Sequence, residues 1–274
     1  MKTILIATDF SAAALNAARF VGELSRYTDT DRIILYHSYH PEDPEIIMVT
    51  DVLAADDSEL QELKERAIQG LNDLQATLGL DIQGGIKIDI RVDDRLLTHA
   101  IKEIAELENV DMVVMGMKKI IGRHTFQMMK ECEKTLLIIP STAVFKGLNR
   151  MMLACDLNGV AERLPVAQLK GLLKNTSSKL FVVNVEHNGA KNAADIINEE
   201  ADLHQLLDDV NPEYYYPVSK NKPETLIRFA EGHQIDMVIT VHKKRGLVEE
   251  LFHNSLTKRL AIQTDIPLLI LHKQ

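Results

Sequence analysis

Short apolar runs alternate with stretches of helical period along the first half of the chain. The runs have the length of strands, and between them apolar residues recur every three to four positions, as in amphipathic helices. The runs are Ile4–Ala7, Ile33–Tyr36, Ile86–Val92, Met112–Met115 and Leu136–Ile139, and the helical stretches include Ala13–Leu24, Leu60–Leu78 and Leu96–Leu107. Strands that alternate with helices predict parallel crossovers and a doubly wound α/β sheet.

The chain repeats itself at an offset of 147 residues. Thr3–Asp9 falls on Arg150–Asp156, and Arg32–Tyr36 falls on Lys179–Val183 without an intervening gap. Chance would rarely keep two separate strands in register, so the pattern indicates two copies of one domain.

Later in each half the offset changes. It is 125 where Asp111–Gly116 matches Asp236–Val241, and 132 where Leu136–Ile139 matches Leu268–Leu271. The second half has therefore lost residues in its middle and gained seven in its last loop, since 132 minus 125 is 7.

Each half predicts one five-stranded parallel sheet. Right-handed crossovers favour the strand order 3-2-1-4-5, and strands with little polar alternation predict a sheet that is covered on both faces. The boundary is placed at Lys146–Asn149, which gives domains 1–146 and 147–274.

Composition narrows the class of protein. The 274 residues are 46% hydrophobic and 26% charged, which suits two ordinary globular domains. A formal net charge of −9, with no basic run long enough to offset it, disfavours binding to nucleic acid or to an anionic membrane. The N-terminus has no signal-peptide core and Cys132 and Cys155 form no C-x-x-C pair, so we expect a cytoplasmic protein with reduced thiols.

In open parallel sheets, ligands bind beyond the carboxyl ends of the strands where the strand order reverses. Here that point lies between the first and fourth strands of each half, and we call it the mouth of that half. Asp9 is expected at the first mouth and Asp156 at the second. Such an acid can accept hydrogen bonds from an adenine or a ribose, or it can cap the next helix. Both interpretations stay open.

The whole chain, once per half, resembles the universal stress protein family. ATP-binding members carry the motif Gly-x2-Gly-x9-Gly-Ser/Thr after the fourth strand, where glycines let the backbone approach the phosphates. ATP is therefore the candidate ligand that the resemblance implies, and it implies no catalytic residue.

In the second half the motif keeps its spacing but not its residues. Val241, Lys244 and Asn254 stand at the three glycine positions, and Ser255 stands at the hydroxyl position. Side chains replace bare backbone at the first two positions, which argues against phosphate binding in the family's manner.

In the first half, Gly116 and Gly122 remain. They stand six positions apart where the motif needs thirteen, and Arg123 replaces the hydroxyl residue. The phosphate loop is predicted to be truncated there.

Two further features can be interpreted either as functional or as purely structural. The run His242–Gly246 could neutralise a small anion at the second mouth, or it could be a solvated basic loop. The run Tyr214–Tyr216 is expected to pack as a strand, with Tyr215 on one face and its neighbours on the other. The histidines show no zinc-ligand spacing, and no metal site is assigned.

Three hypotheses for function follow. The leading one is a non-enzymatic stress-response protein that binds or signals, with nucleotide loops too degenerate for the usual ATP binding. One alternative is ATP binding by the second half. The other is a ligand-free scaffold in which Leu136–Ile139 and Leu268–Leu271 pair across a pseudo-twofold axis, as single-domain relatives pair between subunits, and in which a further homodimer can form. ATP hydrolysis is not expected, because no catalytic motif is present.

Overall fold

The computed structural model describes residues 1–39, 57–82, 85–118, 121–186, 193–242 and 256–272. Ten strands make up its sheet. They are β1 Thr3–Ala7, β2 Arg32–Ser38, β3 Lys87–Asp93, β4 Met112–Met117, β5 Thr135–Pro140, β6 Arg150–Ala154, β7 Lys179–Val183, β8 Glu213–Tyr215, β9 Met237–Val241 and β10 Leu268–Leu271. The helices are α1 Ala12–Leu24, α2 Asp57–Asp81, α3 Leu97–Leu107, α4 Arg123–Glu131, α5 Val160–Arg163, α6 Val166–Thr176, α7 Ala193–Leu207, α8 Lys222–Gly232 and α9 Leu256–Gln263.

The strands form one continuous sheet in the order β3-β2-β1-β4-β5-β10-β9-β6-β7-β8. Each half has the predicted order 3-2-1-4-5 with parallel neighbours. The halves join where β5 and β10 pair antiparallel, with Leu137 opposite Leu269 at the centre of the seam. The predicted fold class and the pairing through the last strands are confirmed.

Apolar cores cover the sheet on its two faces. One is built on side chains such as Ile4 and Ile6 and packs against α1, α2, α6 and α7. The other is built on Leu5 and Ala7 and packs against α3, α4, α8 and α9. Both cores run through the seam into the other half, because strands alternate their side chains between the faces.

The outermost strand β3 departs from the expectation that both faces are covered. Its residues alternate strictly, and Ile88, Ile90 and Val92 pack against the core on one face. The other face carries Asp89 and Arg91, which lie in ion pairs rather than under a helix. The expectation was wrong at this edge, where polar alternation is the signature of a strand with one solvated face.

The internal repeat extends to individual hydrogen bonds. The Asp111 carboxylate accepts from the backbone N–H groups of Lys2 and Thr3 at 2.6 and 3.0 Å. The Asp236 carboxylate accepts from the N–H groups of Asn149 and Arg150 at 2.8 and 2.9 Å. The donors differ by 147 positions and the acceptors by 125, so the offsets found in the sequence describe equivalent atoms.

One helix is not repeated. The counterpart of α1 is split into α5 and α6, and Pro165 lies between them at the position of Ala18. Proline lacks the N–H of a helix interior and its ring clashes with the preceding turn, so the helix breaks there. Glu199 of α7 accepts from the N–H groups of Gly159 and Val160, both at 2.8 Å, and holds the short first piece.

Candidate functional site

The first mouth lies at the carboxyl ends of the neighbouring strands β1 and β4. Asp9 follows β1 and is exposed, and its Oδ1 accepts from the N–H of Ser11 at 2.9 Å. Ser11 is the N-cap of α1, since its hydroxyl accepts from the N–H of Ala14 at 3.3 Å. The interpretation of Asp9 as the helix cap was therefore wrong, and its ligand role stays a prediction.

The residue after each acid has an unusual backbone. Phe10 has a φ of +58° and Leu157, its counterpart, has a φ of +47°. Left-handed backbone at a residue other than glycine costs about 1–3 kcal/mol and is common around functional sites. The same left-handed backbone therefore recurs at the strand-to-helix turn of each half.

The two glycines of the first half have different environments. A Cβ on Gly116 would lie 2.2 Å from the carbonyl oxygen of Ala13, so this glycine lets α1 lie directly on β4. Gly122 precedes α4 and has no atom within 4 Å of such a Cβ. Only residues 118–122 separate β4 from α4, which begins with the exposed Arg123. The truncation of the phosphate loop in this connection stays a prediction.

The second mouth is described in part. The half-buried Asp156 follows β6, and Val241 ends the neighbouring strand β9, so the fold brings them to one end of the sheet. Lys244, Asn254 and Ser255 lie outside the described residues, as does most of the basic run that starts at His242. Burial raises the pKa of the Cys155 thiol beside Asp156 to about 11, so this thiol is protonated at neutral pH.

Three polar residues replace apolar ones near the second mouth. Thr240, His242 and His272 stand where the first half has Met115, Met117 and Pro140. The rings of His242 and His272 stack at 4.5 Å between centroids. Burial lowers the pKa of both imidazoles, and that of His272 falls to about 3. The sequence analysis did not predict this cluster. Aligning the halves at the offsets of 125 and 132 shows the three polar substitutions.

A cavity of about 320 Å³ lies beside the first mouth, between the ends of β1 and β2 and helix α2. Its lining includes Phe10, His37, Tyr39, Leu63, Arg66 and Ala67. The Phe10 and His37 rings are 4.6 Å apart. His37 Nδ1 lies 2.7 Å from the carbonyl oxygen of Thr8, which fixes the ring against the end of β1. The residues that line this cavity form no sequence motif, so the sequence analysis did not predict it.

Aromatic packing on the strand Glu213–Tyr215 follows the predicted alternation. Tyr214 and Tyr216 pack against one core, and Tyr215 packs against the other. Tyr214 stacks on His204 at 3.8 Å between ring centroids. The run is part of strand packing, as expected.

Two searches of the described part of the chain are negative. None of its helices has both the length and the apolar character needed to cross a bilayer. Within the same residues, no three His, Cys, Asp or Glu side chains converge in a way that could hold a metal ion.

Comparison with known proteins identifies relatives by sequence model and by fold. The model of the universal stress protein family matches residues 1–140. No curated protein matches the sequence. A universal stress protein from Archaeoglobus fulgidus DSM 4304 is 15% identical with a TM-score of 0.77, over 99% of this chain and 98% of that one.

Two further structures are similar. A functionally unknown protein from Pseudomonas aeruginosa PAO1 is 11% identical with a TM-score of 0.63, over 99% of this chain and 92% of that one. A family protein from Arabidopsis thaliana, solved with AMP bound, is 13% identical with a TM-score of 0.37, over 51% of this chain and 92% of that one. The last TM-score is too low to support an inference about ligands, and the others show the fold.

Proposed function

Because the chain belongs to the universal stress protein family, we propose that it is a non-catalytic binding and signalling protein of the stress response that does not hold ATP in the family's usual way. The observation that carries this proposal is the short connection between β4 and α4. All backbone groups that would contact phosphates in the family's motif come from that connection.

The motif needs fifteen positions when counted from Gly116. Its third glycine would fall on Met129, which is buried inside α4 with 5% of its surface exposed. A phosphate-binding turn and a buried helical turn cannot occupy the same residues. Exposed cations such as Lys118 and Arg123 offer charge but not the converging backbone N–H groups that a triphosphate requires.

The absence of catalysis is proposed from the chemistry of the two cysteines. The thiols of Cys132 and Cys155 are the strongest nucleophiles of the chain in principle. Burial raises the pKa of each to about 11, which keeps both protonated and unreactive at neutral pH.

A calorimetric titration of nucleotide-stripped protein with ATP and Mg²⁺ tests the proposal, together with an assay of phosphate release. We expect no saturable heat from the first half up to millimolar ATP and no release of phosphate. Micromolar ATP binding that Asp9→Ala abolishes would contradict the proposal, because it would require a working site in the first half.

A second candidate, ATP binding by the second half, is favoured by one observation. Counted from Val241, the fifteen positions of the motif end at Ser255, directly before the described start of α9. In the same titration, binding at one site per chain that is lost in both Asp156→Ala and Ser255→Ala would support this candidate. With no nucleotide bound by either half, the scaffold with protein partners becomes the better description.

A further inference from the structure

We propose that the free edge of β3 is the interface of a homodimer, in which two copies of the chain pair antiparallel about a twofold axis at Ile90. In the described part of the chain, β3 is the last strand at its end of the sheet, and it has a neighbour on one side only, β2. The inference goes beyond the proposed function, because it assigns a surface and a partner whether or not either half binds a nucleotide.

The backbone groups of β3 point alternately towards β2 and away from it. The N–H of Lys87 donates to the carbonyl of Asp31 at 3.0 Å. At the other end, the carbonyl of Asp93 accepts from the N–H of Tyr39 at 2.9 Å. Both groups therefore point towards β2. Because the backbone groups of successive residues point to opposite edges of a strand, the outward groups belong to the three apolar residues in between, Ile88, Ile90 and Val92.

Two side chains already donate to this edge. Gln75 Nε2 donates to the carbonyl of Ile88 at 2.6 Å, and Arg91 Nη1 donates to the carbonyl of Ile90 at 2.8 Å. Both bonds agree with the outward direction of these carbonyls. A second strand would replace the side-chain donors with backbone N–H groups, and it would also give a partner to the N–H groups of the three outward residues.

The charges on the solvated face make β3 complementary to itself. They alternate in sign along the strand, in the order Lys87, Asp89, Arg91 and Asp93. Four alternating charges that are read backwards give the opposite sign at every position. In an antiparallel pair about Ile90, Lys87 therefore lies opposite Asp93 of the second copy, and Arg91 lies opposite Asp89 of the second copy. These are non-hydrogen-bonded positions, where the side chains of neighbouring strands are closest.

The same charges disfavour the neighbouring registers. A shift by two residues would place Asp89 opposite Asp89 of the second copy, or Arg91 opposite Arg91 of the second copy. A parallel pairing in register would place every charge opposite itself. Like charges directly opposite each other destabilise a pair of strands. Charges on an edge strand normally prevent pairing, and here they permit a single register.

The association is expected to stop at two chains. At the opposite edge of the sheet, β8 is three residues long, and Pro217 after it has no N–H to donate. One usable edge per chain gives a closed dimer rather than a filament. No residue of β3 is fully buried in the single chain, so pairing also removes apolar surface of the three outward residues from water.

Sedimentation velocity of the full chain over a range of concentrations measures the association. We expect an equilibrium between monomer and dimer with a dissociation constant of roughly 1–100 µM, since an interface built on one pair of strands is small. A chain that stays monomeric up to about 1 mM overturns the proposal.

Hydrogen exchange of the unaltered chain locates the interface. In the monomer, we expect slow exchange of the Asp89 and Arg91 amides, which face β2, and fast exchange of the outward amides. In the dimer, the outward amides should exchange at least tenfold more slowly than in the monomer. These amides are those of Ile88, Ile90 and Val92. If their exchange does not slow in the dimer, the chains associate through another surface and the proposal is overturned.

Two charge reversals test the register. Asp89→Lys and Arg91→Asp each bring like charges together across the axis, so each variant alone should dimerise at least tenfold more weakly than the parent. An equimolar mixture of the two again places a cation opposite an acid at all four charged positions, and it should dimerise as the parent does. Glu106→Lys, at an exposed position on α3, is the control and should dimerise normally.

Unchanged dimerisation of either reversed variant overturns the proposal, and so does a mixture of the two that stays monomeric. Thermal unfolding checks that each variant is folded. If a variant is unfolded, the exchange measurement on the unaltered chain decides.

Discussion

A methyl group on Gly116 would fall 2.2 Å from the carbonyl oxygen of Ala13, so this residue allows α1 to lie directly on β4. We expect Gly116→Ala to push the helix away and to lower the free energy of unfolding by about 1–3 kcal/mol, as overpacked cores do. Urea unfolding measures the change. Gly122→Ala, with open space around its Cβ, should stay within about 0.5 kcal/mol of the parent. Equal effects of the two substitutions would contradict this packing role.

His272 is a second residue with a measurable consequence. Burial lowers its pKa to about 3, with a further contribution from His242, while an unfolded histidine has a pKa of about 6.5. The unfolded chain therefore takes up a proton between these values and the folded chain does not. The stability that the neutral ring contributes is complete above about pH 6.5 and is lost progressively towards pH 3, by at most about 1.4 kcal/mol per pH unit.

We expect His272→Leu to remove this part of the pH dependence. Urea midpoints at several pH values between 7.5 and 5 should fall less steeply in the variant than in the parent. His99→Gln, at an exposed position on α3, is the control and should retain the parental slope. If His272→Leu retains it too, the pKa of His272 is not lowered by burial.

At the scale of elements, the edge strand β3 depends on charge for its solvated face. Arg32 Nε donates to Asp89 at 2.6 Å, and Arg91 Nε donates to Glu108 at 2.8 Å. Arg32 also donates to Glu108. Charges on an edge strand protect it from pairing with chains whose charges do not match. This half-buried network replaces the helix that covers the inner strands.

Neutralising Glu108 tests the network. Burial alone would raise its pKa, but the hydrogen bonds and charges of Arg91 and Arg32 outweigh burial and lower it. Its charge therefore stabilises the folded state above the unfolded pKa, and this contribution is lost as the pH falls through the lowered value. Glu108→Gln should lower the free energy of unfolding by about 1 kcal/mol at pH 7. Glu62→Gln, in an exposed pair with Arg66, should cost less than half as much.

Several elements were predictable from the sequence for a physical reason. Helix α1 was predicted within one residue at its start and exactly at its end, because apolar period and burial agree there. The sequence of β3 alternates apolar and charged residues, which is the pattern of a strand with one solvated face. The split of α1's counterpart follows from Pro165, which the offset of 147 places at Ala18 in the interior of α1, so the sequence carries this signal as well.

The site was less predictable than the fold. The glycine spacing predicts a truncated phosphate loop before α4, and only residues 118–122 lie between β4 and α4. The cavity could not be foretold, since Phe10, His37 and Arg66 are distant in sequence and meet through strand order and the placement of α2. The residues that line the cavity come together only in the folded chain and form no sequence motif. Lys244, Asn254 and Ser255 stay predictions.

At the scale of the molecule, the seam makes the halves one structure. Beyond the strand pairing, Asn16 donates to the carbonyls of Pro140 and Ala143 at 3.1 and 2.9 Å, which fixes the chain that leaves β5. Asn175 of the second half donates to Asp29 of the first at 3.0 Å. The Asn16 contacts therefore hold the chain after β5 against the first half, and the Asn175–Asp29 hydrogen bond joins the two halves directly.

Because both cores cross the seam, a cavity at its centre should weaken both halves together. Leu269 is 1% exposed and lies opposite Leu137, so Leu269→Ala should cost about 2–5 kcal/mol of unfolding free energy. Native-state hydrogen exchange measures which amides lose protection in the variant. We expect the amides of β2 and β7 to lose protection by the same amount, whereas Leu107→Ala, at a position 72% exposed, should leave both nearly unchanged. Protection lost in β7 alone would mean that each half unfolds by itself, and that a ligand in the first half could not stabilise the second through the shared sheet.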